Sequence, residues 1–338
     1  MTDIPCGRVL AGDARIAREA CARWANQPLD QELSYGGAGW PEHETTLARE
    51  LSVSGPGTFF GRASRTLRFE PSVERGGWWF KRVDIPYVMP IPVSVNSVWN
   101  TVRNIVLCSG SPHNYMRMVE HIIALKLGMG LDNVTIKVDT GDPPLFDRSS
   151  VDLVEAVERE GLAMQPQKAV FLTVKEPVTV VSRNGSFLTF LPAARDARRL
   201  ILDCALDFRS AIGRQRIRFT VNKDTFRHGA FARTNTSFLT VLYYRSIGQI
   251  FADTRNLGYT KRNILIAGRW RYMNEPRLMH QGKSLEAAWH RAALDLLAAL
   301  ALIDRGRFVG TVISYKAGHT LDVRMIRELY QREMLEEV

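Results

Sequence analysis

Cysteine is scarce in this chain: four residues in 338, at Cys6, Cys21, Cys108 and Cys204, with no C-x-x-C spacing among them. That excludes a disulfide-dense scaffold and a cysteine zinc site, and free thiols in a reducing compartment are the expectation. Long apolar runs are missing too. The longest, such as 292–303, contain charge or end too soon to span a bilayer. The opening residues Met1-Thr2-Asp3-Ile4-Pro5 have neither the basic start nor the apolar core of a secretory signal, so a cytoplasmic protein is expected. Zinc-finger, RNP and basic-zipper spacings are also absent, which sets nucleic acid aside as a partner.

Positive charge is plentiful. The net charge is +10 and the pI is near 9.7, a balance that suits a nucleotide diphosphate, an anionic membrane face or nucleic acid. The basic residues are dispersed apart from small clusters at 195–199 and 261–271, so charge alone does not choose among these partners.

A length of 338 residues suggests two domains. Residues 1–45 read as an N-terminal extension, with an amphipathic helix over 14–26 and a Gly/Pro-rich link, Tyr35-Gly36-Gly37-Ala38-Gly39-Trp40-Pro41. In a first domain, 46–163, short strands are predicted at 66–69, 78–83, 93–98, 104–108 and 134–138, and helices at 115–127 and 150–160. Residues 161–167 read as a linker. A second domain, 168–338, shows strands at 170–174, 178–181, 187–190, 200–206, 216–220, 263–267 and 309–315. Its helices are predicted at 224–228, 238–246, 285–303 and 321–336, and Asn184-Gly185 marks a hairpin turn. Strands followed by helices occur twice, which predicts two similar α+β domains facing each other.

The chemistry concentrates at Glu120-His121, a carboxylate and an imidazole on an otherwise apolar helix. Some 100° apart around the axis, one could ligate a metal while the other reaches a water on it. A lone Glu-His pair is also a common structural accident. His290 and His319 stand where the second domain could present them to the same point, and Gly318 suits a strand-to-helix turn that would hold His319 at the end of the sheet, as a candidate acid.

Together, the segments 118–147, 205–234, 285–295 and 314–321 resemble the UDP-3-O-acyl-N-acetylglucosamine deacetylase family (LpxC), zinc amidases of lipid A synthesis, over a span from about residue 51 to the C-terminus. The resemblance implies two similar domains with helices sandwiched between two sheets, a Zn2+ cofactor and a nucleotide-linked amino-sugar substrate. It makes Glu120 the general base, His121 and His290 metal ligands, His319 the acid, Thr234 a hydroxyl donor to the oxyanion and Asp147 a structural carboxylate. The resemblance also places Arg291, Lys316 and Asn235 at substrate-binding positions. Plainer readings stand beside these: a turn hydroxyl for Thr234, a helix cap for Asp147, a turn histidine for His319.

The chain also departs from the family's pattern. The third ligand is an aspartate four residues after the second histidine, and here that position is Leu294. Asp295 follows one residue later, about 140° around a regular α-helix. A π-bulge would return it to the face of His290; alternatively, Glu286 would substitute. Phe59 replaces a turn histidine, Asn235 an aromatic and Arg291 a lysine. The expected activity is zinc-dependent removal of an N-acetyl group from an amino sugar, with peripheral contact to an anionic membrane. The rival expectation is a catalytically reduced relative serving as a binding or regulatory module.

Overall fold

The structure is a computed structural model and describes residues 6–34, 39–57, 63–72, 76–194, 197–245 and 259–338. Strand Val134–Val138 shows how its first half is built. Val134, Ile136 and Val138 are buried while Thr135 and Lys137 reach toward solvent, the two-residue period of a half-buried strand. It lies at the centre of a five-stranded sheet, antiparallel to Ser64–Pro71 and parallel to Trp78–Arg82, with Leu51–Pro56 and Ile91–Pro92 at the edges.

The second half is a seven-stranded sheet in the order Arg8–Ala11, Val178–Val181, Phe187–Leu191, Gly310–Tyr315, Leu200–Asp207, Arg214–Thr220, Gln31–Leu33. All four residues of Val178–Val181 are buried, because helix His319–Gln331 covers one face of this strand and helix Ala14–Ala25 the other. A strand covered on both faces has no need of alternation.

Between the sheets runs the helical stretch 286–301, which touches the short helices Glu120–Ile123 and Leu125–Gly128 on one side and strands Leu200–Asp207 and Arg214–Thr220 on the other. One apolar core joins the layers: Phe69, Phe80 and Ile136 of the first sheet, Leu297 and Leu300 of the central stretch, and Leu202 and Phe219 of the second sheet. The architecture is therefore α+β, with helices sandwiched between two sheets.

The extension is part of this design. Arg8–Ala11 and Gln31–Leu33 form the two edge strands of the seven-stranded sheet, and helix Ala14–Ala25 packs Ala17, Ala20 and Trp24 onto its outer face. These edge strands are only four and three residues long, which leaves little open hydrogen-bonding row for other chains to pair with.

Several sequence expectations are corrected. Cys6 and Cys21 form a disulfide, their Cα atoms 6.5 Å apart, because the first strand and helix fold back on each other; Cys108 and Cys204 are free. Residues 161–167 are not a linker: Leu162–Lys168 is a strand paired with His43–Leu47. Its mostly exposed side chains and its Pro166 give it the look of a loop. The expected helix at 115–127 starts late, since Tyr115 to Arg117 end strand Ser111–Arg117, and Met118 breaks the chain at φ 51° before Glu120 opens the helix. Residues 95–97 form a 3-10 turn, not the interior of a strand. The last helix begins at His319 and stops at Gln331, and Leu335–Glu337 pairs with Phe171–Val174.

Candidate active site

Where the central helical stretch meets the short helix of the first half, Glu120, His121, Thr234, His290, Asp295 and His319 line one cleft of about 100 Å³. Glu120 opens helix Glu120–Ile123, Thr234 opens strand Thr234–Ser237, and His319 opens helix His319–Gln331. Three element starts thus converge on the stretch that carries His290 and Asp295.

That stretch is not a uniform α-helix. Residues Glu286–Trp289 are α-helical, His290–Leu296 form a π-helix, and Leu297–Ala301 return to α. The wider turn sends Leu294 fully into the core and leaves Asp295 on the cleft side. Asp295 Oδ2 lies 3.5 Å from His290 Nδ1. Glu286, the other carboxylate weighed for this role, is fully buried elsewhere: its oxygens accept from the backbone N–H and Nε of Arg233, at 3.0 and 2.7 Å, and from the backbone N–H of Arg277 at 2.6 Å.

The two imidazoles come from the two halves of the chain and meet in the cleft. His121 Nε2 and His290 Nε2 are 3.3 Å apart, with Thr234 Oγ1 at 3.3 Å from the former and 3.0 Å from the latter. A tetrahedral zinc with bonds of about 2.0–2.1 Å separates neighbouring ligand atoms by about 3.3 Å, so this pair has metal-ligand spacing. Asp295 faces the other nitrogen of His290, and no group of three or more His, Cys, Asp or Glu among the described residues is arranged to hold a metal ion.

Burial and neighbouring charges act differently on each group of the cleft. Burial raises the Glu120 carboxyl above its usual range, against the nearby His319, and its Oε1 accepts the backbone N–H of Ile105. Burial and the neighbouring His290 lower His121 to about 3, so its ring is neutral. Burial would also depress His319, but the Asp295 and Glu120 carboxylates facing it outweigh that and raise it. His319 Nε2 lies 3.5 Å from Glu120 Oε1 and 3.9 Å from Asp295 Oδ1. Asp295 is held below the carboxylate range: burial opposes ionisation, but His290 and His319 prevail.

Other expected residues lie elsewhere. Arg291 is buried with both terminal nitrogens on Asp322 and its Nε 3.3 Å from Ser314 Oγ. Lys316 is exposed at φ 53°, its Nζ 5.8 Å from the centre of the Tyr315 ring. Lys316, not Gly318, is the left-handed residue of that turn, since Gly318 is extended. Asn235 follows Thr234 on its strand and, by the pleat, faces away from it. Asp147 is half-exposed beside Arg262. Phe59 lies outside the described residues.

Residues that the sequence reading did not single out complete the site. Ser149 Oγ and Ser150 Oγ each lie 3.3 Å from His121 Nδ1, and Arg103, Asn104 and Arg117 line the cleft. Their only sequence signal was two adjacent hydroxyls just before a helix.

Two carboxylates, three imidazoles and a hydroxyl thus converge on one cleft between the two halves of the molecule, a set of groups suited to hydrolysis. The chain belongs to the UDP-3-O-acyl N-acetylglycosamine deacetylase (LpxC) family, whose sequence profile matches residues 44–331. Proteins named UDP-3-O-acyl-N-acetylglucosamine deacetylase from Brucella ovis, Brucella canis and Brucella suis are each 26% identical to it over 299 residues, 88% of this chain and 98% of theirs. The strands and helix at 8–33 precede the matched region. No described helix is long and apolar enough to cross a membrane.

Proposed function

We propose that this chain is a zinc-dependent deacetylase acting in the cytoplasm on a UDP-linked amino sugar of the UDP-3-O-acyl-N-acetylglucosamine type, as an early step toward lipid A. The observation that carries the reading is the 3.3 Å approach of His121 Nε2 to His290 Nε2 from opposite halves of the molecule. Those two nitrogens and the Asp295 carboxylate are the groups that would hold the ion. Bound there, zinc supplies Lewis acidity to the amide carbonyl and acidity to a water.

The remaining steps belong to the chain's own side chains. Glu120, whose carboxyl burial raises above its usual range, takes the proton of the attacking water. Thr234 Oγ1 donates to the oxygen of the tetrahedral intermediate. His319, whose protonated form the Asp295 and Glu120 carboxylates favour, gives its proton to the departing amine, so that water and the N-acetyl amide become acetate and a free amino sugar. Arg103 at the cleft would face the anionic portion of the substrate, Arg117 being buried and paired with Asp142. The excess of basic residues suits a diphosphate and an anionic membrane face.

A second reading, a binding or regulatory module without turnover, is favoured by one observation: Asp295 faces Nδ1 of His290, not the point shared by the two Nε2 atoms. Metal analysis separates the two. Protein purified without added zinc should carry close to one equivalent, and His121→Ala or His290→Ala should remove it. Zinc-free protein that also fails to take up zinc on reconstitution and releases no acetate from UDP-3-O-acyl-N-acetylglucosamine overturns the enzyme reading.

A further inference from the structure

We infer that Ser149 and Ser150 are positioning residues that fix the tautomer of His121, holding its proton on Nδ1 so that the Nε2 lone pair points into the cleft. The inference rests on the proposed role of His121 as a ligand and names the groups that prepare it.

Proton counting carries the argument. Each serine hydroxyl has one hydrogen to donate. Ser149 Oγ gives its own to the Ala232 carbonyl at 2.6 Å, and Ser150 Oγ gives its own to the His121 carbonyl at 3.1 Å. Both oxygens also lie 3.3 Å from His121 Nδ1. With their hydrogens committed to carbonyls, they can face Nδ1 only as acceptors, so Nδ1 must be the donor. The lone pair of the neutral ring is then on Nε2, the nitrogen beside Thr234 and His290. A ring nitrogen that ligates a metal is set in this way by the hydrogen bond of the opposite nitrogen.

Two observations separate this role from ordinary structural ones. Ser150 occupies the N-cap position of helix Val151–Glu160, where a serine oxygen usually accepts from the first turn, yet its side chain makes no capping bond. Its hydroxyl is turned toward His121 instead. Ser149 has φ 61°, a left-handed conformation that non-glycine residues seldom adopt, and it is 5% exposed. The backbone is bent into that shape where its hydroxyl reaches both Ala232 and the imidazole.

The test is long-range proton–nitrogen NMR on metal-free, nitrogen-15-labelled protein, paired with zinc affinity from chelator competition. In wild type, His121 should show a protonated Nδ1 and a pyridine-like Nε2. Ser150→Ala, which removes no helix cap, should weaken that preference, and Ser149→Ala/Ser150→Ala should abolish it, with zinc binding about 10–100-fold weaker. Ser150→Thr, which keeps the hydroxyl, should restore both readouts. A pyridine-like Nδ1 in wild type overturns the inference, and so does an unchanged tautomer in a folded double variant. Wild-type protein that binds no zinc defeats the proposed activity, while the NMR measurement still decides the tautomer.

Discussion

His290 and Asp295 stand five residues apart in sequence yet face each other, His290 Nδ1 lying 3.5 Å from Asp295 Oδ2, because residues His290–Leu296 are wound as a π-helix. In a regular α-helix the same step turns the second side chain about 140° away. One extra residue in a turn thus moves a carboxylate from the core to the cleft, and Leu294 takes the core position instead.

Exchanging the two residues tests whether position or charge matters. Leu294→Asp/Asp295→Leu keeps the number of carboxylates but puts one where the wild-type side chain is fully buried. The expected result is loss of bound zinc and a lower melting temperature, since an unpaired buried carboxylate is strongly disfavoured. Zinc retention by the exchanged protein would show that the π turn does not select the carboxylate.

The alkaline limb of activity should follow Asp295, because the proton donor His319 is lost as pH rises through its titration. Burial disfavours protonated His319, and the Asp295 and Glu120 carboxylates overcome that to raise it. Asp295→Asn removes the larger of the two attractions, so the His319 titration in NMR of the metal-free protein should move to lower pH. Titration that stays in place would remove His319 from the influence of Asp295.

Stability of the metal-free protein should fall on acidification. His121 is lowered to about 3, first by burial and then by His290, against an ordinary value of 6.5. Between those values the unfolded chain binds a proton that the folded chain refuses, so stability decreases as pH drops through that window, by about 1.4 kcal/mol for each unit of depression realised. Denaturant melts at stepped pH check this, and His121→Ala should flatten the dependence.

Glu286→Ala should unfold more readily by about 3–5 kcal/mol, because it leaves Arg233 buried and unpaired. Whatever fraction remains folded should keep its zinc. Loss of zinc without loss of stability would instead make Glu286 a ligand.

Arg291→Lys should lower the melting temperature and leave KM unchanged. The guanidinium holds both Asp322 oxygens in the core, a two-pronged contact that an ammonium cannot reproduce. A raised KM at unchanged stability would return Arg291 to the substrate.

Sequence patterning made much of the fold legible. Strand Val178–Val181 has the predicted bounds, Gly185 takes the left-handed φ of 78° expected of an Asn-Gly hairpin, and helix Val151–Glu160 starts one residue after the predicted 150 and ends where expected. Misreadings occurred where the local signal was mute. Leu162–Lys168 is an edge strand with mostly exposed residues, so no apolar alternation announces it. Tyr115 to Arg117 belong to a strand although the apolar run beyond them is helical, and only the reversal at Met118 separates the two.

What the chain's residue order settled by itself was the supply of groups: a Glu-His step, two further histidines, and a five-residue gap to Asp295 that admits either a π turn or a misdirected carboxylate. The folded molecule chose between those outcomes, gave Glu286 to Arg233, gave Arg291 to Asp322, and turned Ser149 and Ser150 onto His121. Those choices depend on which buried polar group finds which partner among residues far apart along the chain, and local propensity carries no record of such pairings.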